Sequence, residues 1–225
     1  MTSPRTGVRQ QKKEATRARI AAVAMDLFLE RGFENVSVVE IAAGAGVTEK
    51  TVFNHFATKV DLAFPEDPDA VTALLGALTS RPAGASVLEA FRAFALDVYE
   101  RYFPLDEQGR QRETQIARLV DTSPALRAWK RDMLARYADI VRDHLAAELG
   151  AESADMRPTV VARSLLAVHE AVIDGFRDGL IAGAEDAATL SRRLRASAEQ
   201  AFDLLGAGFR DYALGPANPA AGVRS

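Results

Sequence analysis

A short segment, residues 37–56, restricts the fold of this chain more than any other. It reads SVVEIAAGAGVTEKTVFNHF. Ser37 and Glu40 are spaced as a capping box, which predicts that a helix begins directly after Ser37. Gly46 suits a turn with positive φ, and Thr48 can cap the N-terminus of a following helix. The segment therefore predicts two short helices joined by a tight turn, the first with Val38 on its inner apolar face and the second ending at about Phe56.

The spacing of Ala42, Gly46 and Val52 indicates a helix-turn-helix. This motif needs a small residue where the two helices cross, a glycine where the turn bends, and an aliphatic residue on the second helix that faces back onto the first. Many helical hairpins place alanine and glycine similarly. The spacing alone therefore leaves DNA binding and simple helix packing equally open.

The second helix of this pair has two distinct faces. Successive side chains on a helix are about 100° apart, so if Val52 points inward, Phe56 lies on the same side and Lys50, Thr51 and Asn54 lie opposite. Lysine suits guanine acceptors, asparagine suits the adenine edge, and threonine suits a thymine methyl or a phosphate. Any short surface helix exposes some polar side chains, but the complete set beside such a turn favours DNA binding.

Further DNA contacts are predicted around this helix. Phe53 and His55 fall on its flanks, where a helix in the major groove meets the phosphate walls. Lys59 precedes the next helix, where its charge and free backbone N–H groups favour a phosphate. The complete predicted DNA-binding set is Arg17, Ser37, Thr48, Lys50, Thr51, Phe53, Asn54, His55 and Lys59.

Charge is unevenly distributed along the chain. The formal net charge is −3, yet residues 1–60 contain nine lysines and arginines against six acidic residues, and the first 19 residues contain six against one. A basic N-terminal segment attracts polyanions such as DNA regardless of their sequence. Residues 1–15 are therefore predicted to be a flexible basic arm.

Residues 19–64 resemble the DNA-binding domain of the tetracycline-repressor-like (TetR) family. The first helix ends in F..RGF, the second helix and turn read SVVEIAAGAGV, and TVFNHF and K..L follow. The resemblance implies a homodimer, a palindromic operator read in the major groove of double-stranded DNA, and a C-terminal helical domain whose small-molecule effector releases the DNA. The family usually has tyrosine where this chain has Phe53, and a phenyl ring cannot donate a hydrogen bond to phosphate.

The rest of the chain predicts an all-α protein with about nine to ten helices. Apolar residues recur at helical spacing, strand-like alternation is absent, and PEDPD and TSRPAGAS mark breaks. The longer helices are predicted at about 12–31, 67–79, 86–102, 107–120, 124–149, 157–182 and 188–211. The predicted domains are the arm at 1–15, the helix-turn-helix domain at 16–64, a helical effector-binding and dimerisation domain at 65–213, and a disordered tail at 214–225.

The last two long helices carry broad apolar faces that predict a dimer interface. Two such helices from each subunit form a two-fold four-helix arrangement, although the same faces could instead close the subunit's own core. The family resemblance favours the dimer. The predicted interface residues are Val161, Leu165, Val168, Val172, Phe176, Leu194, Ala201 and Leu205.

Aromatic and polarisable residues on the middle helices are the candidates for effector binding. Small-molecule pockets are mostly apolar with a few polar groups, although aromatic residues at helical spacing are also ordinary core. The family resemblance implies a cavity between these helices. The predicted ligand-binding residues are Phe91, Phe94, Tyr99, Trp129, Met133, Tyr137 and His169.

Composition excludes several other classes of protein. The absence of cysteine rules out disulfides and cysteine-type zinc sites, and the three widely spaced histidines do not form a metal site. No run of apolar residues is long enough to span a membrane, so a cytoplasmic protein without a cofactor is predicted. The leading hypothesis is a ligand-responsive repressor. The alternatives are a regulator without an effector and an enzyme that uses the helical domain, for which the sequence offers no catalytic arrangement.

Overall fold

A computed structural model describes residues 4–64, 68–103 and 105–209. This part of the chain contains helices and no strand, which confirms the all-α prediction. None of its helices is long and apolar enough to cross a membrane. The ten helices are α1 (Pro4–Arg31), α2 (Val38–Gly44), α3 (Glu49–Phe53), α4 (Val60–Ala63), α5 (Pro68–Thr79), α6 (Val87–Tyr102), α7 (Glu107–Thr122), α8 (Pro124–Leu149), α9 (Arg157–Ala182) and α10 (Ala187–Phe209).

Two predicted boundaries are wrong. α1 begins at Pro4, so residues 4–15 continue the helix and do not form a separate flexible arm. Proline is well suited to the first helical turn, and the polar residues that follow are good helix formers. α3 ends at Phe53 and not near Phe56, because the backbone N–H groups of His55 and Phe56 both donate to the Val52 carbonyl at 2.9 Å and tighten the chain into a turn. Residues 1–3 and the predicted tail at 214–225 lie outside the described residues.

The chain divides into two compact units. The first unit consists of Met1–Asp67 together with Arg118–Trp129, and the second consists of Pro68–Ala117 and Lys130–Ser225. The predicted boundary at residue 64 is therefore incomplete, since the end of α7 and the start of α8 also belong to the first unit. Burial explains this assignment: Leu119, Val120 and Leu126 are buried in the same apolar cluster as Phe28, Ile41 and Phe56.

The second unit is organised around the close packing of α9 on α10. A Cβ atom at Gly175 would lie 3.0 Å from Leu194 Cδ2, and one at Gly179 would lie 2.4 Å from Leu190 Cδ1. Real Cβ atoms essentially never lie as close as the 2.4 Å at Gly179, and few lie as close as the 3.0 Å at Gly175, so the two glycines allow the helix axes to approach. Gly175 faces Leu194 while Gly179 faces Leu190, and this order shows that the helices run antiparallel.

Candidate nucleic-acid interface

The starts of α2 and α3 are fixed by their cap residues, as predicted. The Ser37 hydroxyl accepts a hydrogen bond from Glu40 N at 3.2 Å, and the Glu40 carboxylate accepts one from Ser37 N at 2.8 Å. Thr48 Oγ1 accepts from Thr51 N at 3.2 Å. Between the helices, Gly46 has φ of 63°, a left-handed conformation that favours glycine.

The capping box also ties the end of α1 to the start of α2. Arg31 Nη1 lies 2.8 Å from Glu40 Oε1. The hydrogen bonds from the Ser37 backbone and hydroxyl, followed by the one from Arg31, lower the pKa of Glu40 to about 2. Glu40 is therefore charged at physiological pH and available to hold both groups.

Two buried side chains orient the five-residue helix α3. Val52 and Phe56 are buried in the core of the first unit. Lys50 and Asn54 are exposed on the other side, and Thr51 is partly exposed with its hydroxyl 2.9 Å from that of Thr48. The predicted division of this segment into a buried and an exposed face is confirmed, with the Thr51 hydroxyl already engaged by the cap.

Arg17 and His55 meet where α1 passes the end of α3. Arg17 Nη1 donates to the His55 carbonyl at 2.6 Å, and its guanidinium carbon lies 4.5 Å from the centre of the Phe56 ring. Burial, with Lys13 and Arg17 nearby, lowers the pKa of the His55 imidazole, which favours the neutral form. The structure thus gives Arg17 an internal role that the sequence did not reveal, since it was predicted only to bind DNA.

The Lys59 ammonium, predicted to favour a phosphate, has its contacts within the first unit in this structure. Lys59 Nζ donates to the Phe33 carbonyl at 2.5 Å and lies 4.4 Å from the centre of the Phe33 ring. Burial lowers the pKa of Lys59, although Glu34 and Glu40 act in the opposite direction. The ammonium is directed toward the end of α1, where it holds the α1–α2 connection against the start of α4.

An exposed valine on α2 was missed by the sequence analysis. Val39 is 56% exposed and Phe53 on α3 is 52% exposed. The periodicity assigned Val38 to the inner face, which places Val39 outside, but an isolated exposed valine carries no signal of its own. The structure adds Val39 to the residues that the helix-turn-helix presents to solvent.

In the second unit, Tyr99 and His169 form a partly buried polar pair. The Tyr99 hydroxyl lies 3.0 Å from His169 Nδ1, and their rings are stacked with centroids 5.7 Å apart. Burial raises the pKa of Tyr99. Burial and, to a smaller extent, the Lys130 charge together lower the pKa of His169 to about 4. Both groups are therefore neutral at physiological pH.

The other predicted ligand-binding residues are divided between the two units. Phe91 is buried against Phe202 with ring centroids 6.1 Å apart. Trp129 belongs to the first unit, where it stacks on Phe64 at 4.9 Å, so its assignment to the predicted effector-binding domain is wrong. The remaining three residues of the set are partly buried against the same apolar cluster as Tyr99: Phe94, Met133 and Tyr137.

A cluster of charged residues on α8 and α9 includes Glu170, which directly follows His169. Lys130 Nζ forms an ion pair with Asp174 and lies 3.9 Å from Glu170 Oε1. Arg177 Nη1 lies 3.4 Å from Asp174 Oδ1, the oxygen that also pairs with Lys130. Arg177 Nη2 donates to the Ala117 carbonyl at 3.4 Å. Asp174 thereby connects two cations that come from different helices.

Most of the predicted dimer interface is buried within the subunit. Val161, Leu165, Val172, Phe176 and Leu194 are all buried in the core of the second unit, so these five pack mainly within the subunit. The apolar stripe predicted from the sequence is thus the inner face of each helix. Val168, Ala201 and Leu205 are partly buried.

The described residues contain no group of three or more histidine or acidic side chains arranged to hold a metal ion.

The two parts of the chain match two family models. Residues 20–64 match the model described as bacterial regulatory proteins, tetR family, and residues 85–210 match the model described as the MftR C-terminal domain. The second match alone covers more than half of the chain.

Curated relatives and solved structures agree with these matches. The chain is 27% identical over 198 residues to MftR of Mycobacterium tuberculosis, named as a candidate transcriptional regulator of mycofactocin biosynthesis, with 88% of this chain and 93% of that one covered. It is 33% identical over 172 residues to the transcriptional regulator TcmR of Streptomyces glaucescens, covering 74% and 73%. The solved complex of SmeT with triclosan shares the fold, with a TM-score of 0.54 at 20% identity and coverage of 94% and 100%.

Replacing Lys59 and Lys50 with methionine should separate an internal cation from a DNA-facing one. Lys59→Met removes the hydrogen bond to Phe33 and should lower the free energy of unfolding by about 1.5–3 kcal/mol, because bonds to charged groups contribute at that level. Lys50→Met should change it by less than about 0.5 kcal/mol. It should, however, reduce the salt dependence of DNA binding by about one counterion. Chemical denaturation and binding titrations at several salt concentrations measure both; a reduced salt slope with unchanged stability in Lys59→Met would contradict the internal role.

His169 should make the protein less stable in mild acid. Its pKa is about 4 in the folded chain against 6.5 ordinarily, so between these values the unfolded state binds one more proton and the free energy of unfolding falls as the pH falls. Between pH 7 and pH 4, the free energy of unfolding of His169→Gln should fall by roughly 1–3 kcal/mol less than that of the wild type. Chemical denaturation at the two pH values measures this difference.

Tyr99→Phe is the control for this measurement, since it removes the hydroxyl partner and leaves a titratable buried histidine. The free energy of unfolding of Tyr99→Phe should still fall between pH 7 and pH 4, as it does in the wild type. A His169→Gln profile parallel to the wild type would show that the imidazole is not the source of the acid sensitivity.

Proposed function

The chain belongs to the TetR family of bacterial transcriptional regulators, and we propose that it is a repressor that binds a palindromic operator as a homodimer and is released by a small-molecule effector. DNA binding and regulation of transcription follow from the family. The operator symmetry, the dimer surface and the effector are proposals for this chain. The observation that carries them is the orientation of α3, whose buried side chains leave a polar face available for the major groove.

The exposed face of α3 has the chemistry needed to read base edges. Lys50 can donate to guanine O6 and N7, and Asn54 can pair with adenine N6 and N7. Asn54 is the C-terminal cap of the helix, and its backbone N–H donates to the Lys50 carbonyl at 3.0 Å, so the last turn holds both residues on one side. Since only a few residues project from so short a helix, two copies are needed for useful affinity, at half-sites about one helical turn of DNA apart.

The exposed faces of α9 and α10 support the homodimer. Val160 is 48% exposed on α9, and Leu204 is 79% exposed on α10. The antiparallel packing places both residues toward the same end of the helix pair. Ala167, Ala171 and Ala196 are also exposed on these helices, and such small residues allow close approach of a second pair. A four-helix interface between two subunits would cover this surface.

The effector site is proposed around Tyr99 and His169. Both groups are neutral, already hydrogen-bonded to each other and surrounded by apolar side chains from α6, α8 and α9. A ligand could exchange that bond for its own, which suits a largely apolar molecule with one or two polar atoms. Triclosan, which is bound in the solved complex of SmeT, a protein with this fold, is an example of such a ligand.

The mechanism is a shift in the population of conformations. The effector would bind better to a conformation in which the two copies of α3 no longer fit successive major grooves, so operator affinity would fall. Linkage requires reciprocity: operator DNA must weaken effector binding by the same factor.

Selection of bound DNA from a random pool should yield a palindrome with half-site centres about 10 base pairs apart or a small multiple of that spacing. Asn54→Ala should then relax the preference at one position of each half-site by about 1–3 kcal/mol, because it removes a bidentate contact to a base. Repeating the selection with the variant measures this effect. A uniform loss of affinity over all positions would show that Asn54 contacts only phosphate, and failure to enrich any palindrome would contradict the proposal itself.

Leu204→Arg should convert the protein to a monomer and abolish operator binding. An unpaired charge would be buried twice in a two-fold interface, so the dimer dissociation constant should increase at least about a hundredfold. Sedimentation equilibrium and operator titration measure the two effects.

Tyr102→Arg is the matched control, because Tyr102 is 66% exposed at the end of α6, outside the proposed interface. It should remain a dimer. Dimerisation of Leu204→Arg with wild-type affinity would exclude this surface.

A further inference from the structure

The helix-turn-helix exposes two large apolar side chains. Phe53 is 52% exposed at the end of α3, and Val39 is 56% exposed in the first turn of α2. Among the described side chains of the first unit, these are the only two large apolar groups that are exposed. The core does not need them, because Val52 and Phe56 already anchor α3.

The surroundings of Phe53 indicate a polyanionic partner with an apolar feature. Lys50 lies one turn before Phe53 on α3, and Asn54 follows it, so the ring borders a cation and an amide on an exposed surface. Lys12, Lys13 and Arg19 of α1 are also exposed in this unit. This combination suits DNA and not an apolar protein surface.

The chemistry of Phe53 limits what it can contact on DNA. A phenyl ring has no donor for a phosphate oxygen and no polar group for a base acceptor. In the major groove, the thymine C5-methyl is the apolar group on the base edges, and aromatic and aliphatic side chains contact it. A sugar contact is the alternative, and it would carry no sequence information.

We propose that Phe53 is a specificity residue that reads a thymine methyl in each operator half-site, while Val39 contacts only sugar. This inference rests on the proposed function. The assignment of Val39 follows from its helix, because the first helix of a helix-turn-helix crosses the DNA backbone while the second enters the groove. Phe53 thus contacts a base and contributes to sequence specificity, whereas Val39 contacts sugar and does not.

The expected effect follows from the size of the methyl group. Removing one buried methyl from an apolar contact weakens binding about fourfold. A palindrome presents the group twice, so symmetric replacement of thymine by uracil at the right position should weaken binding about fifteenfold. Replacement at other positions should have little effect, since uracil keeps every hydrogen-bonding atom of thymine.

The test uses the full-length protein and the operator selected from the random pool. Each thymine pair is replaced symmetrically by deoxyuridine, and dissociation constants are measured at one salt concentration. The wild type should show one sensitive position, and Phe53→Ala should lose that sensitivity while losing affinity for the thymine operator. Because uracil changes the DNA and not the protein, the wild-type result does not depend on the folding of any variant.

Val39→Ala is the matched control, since it removes a similar exposed apolar group from the neighbouring helix. It should weaken the thymine and uracil operators equally and keep the sensitive position. Equal wild-type affinity for every uracil operator, selected half-sites without thymine, or sensitivity retained in Phe53→Ala would overturn the inference. None of these results contradicts the proposed function, which fails only if no palindrome is bound.

Discussion

The burial of Val52 and Phe56 is the interaction on which the DNA-binding surface depends. α3 contains five residues, and a helix of that length is not stable in water by itself. Its conformation comes from the Thr48 cap at one end and from the two anchors in the core of the first unit. Because the anchors fix the rotation of the helix, the direction of Lys50, Phe53 and Asn54 is determined by side chains that never contact DNA.

Cations in the first unit have two separate tasks. Arg17 donates to the His55 carbonyl and lies over the Phe56 ring. Lys59 donates to the Phe33 carbonyl and lies over the ring of the same residue. Lys50 remains on the exposed face of α3. A basic DNA-binding domain is thus partly held together by its own positive charges, because an ammonium or guanidinium can stabilise a chain crossing through hydrogen bonds and ring contacts at once.

The second unit shows why an apolar stripe does not identify its partner. Periodicity correctly predicted both ends of α9 and, to within one residue, the start of α10, because cap residues, breakers and helical spacing are local properties. It assigned Val161, Leu165 and Leu194 to a dimer interface, yet all three are buried within the subunit. Exposed apolar residues such as Leu204 can be identified only once the packing shows which side chains form the core.

The sequence by itself determined the helix-turn-helix, the inward direction of Val52 and Phe56, and the exposed position of Lys50 and Asn54. These features depend on capping, turn chemistry and a rotation of about 100° per residue, all of which act over a few residues. Only the tertiary structure decided that Lys59 turns toward Phe33, that Trp129 stacks on Phe64, and that residues 118–129 complete the first unit. Each of these contacts joins positions far apart in the chain, and the choice among possible partners depends on which surfaces the packed helices bring together.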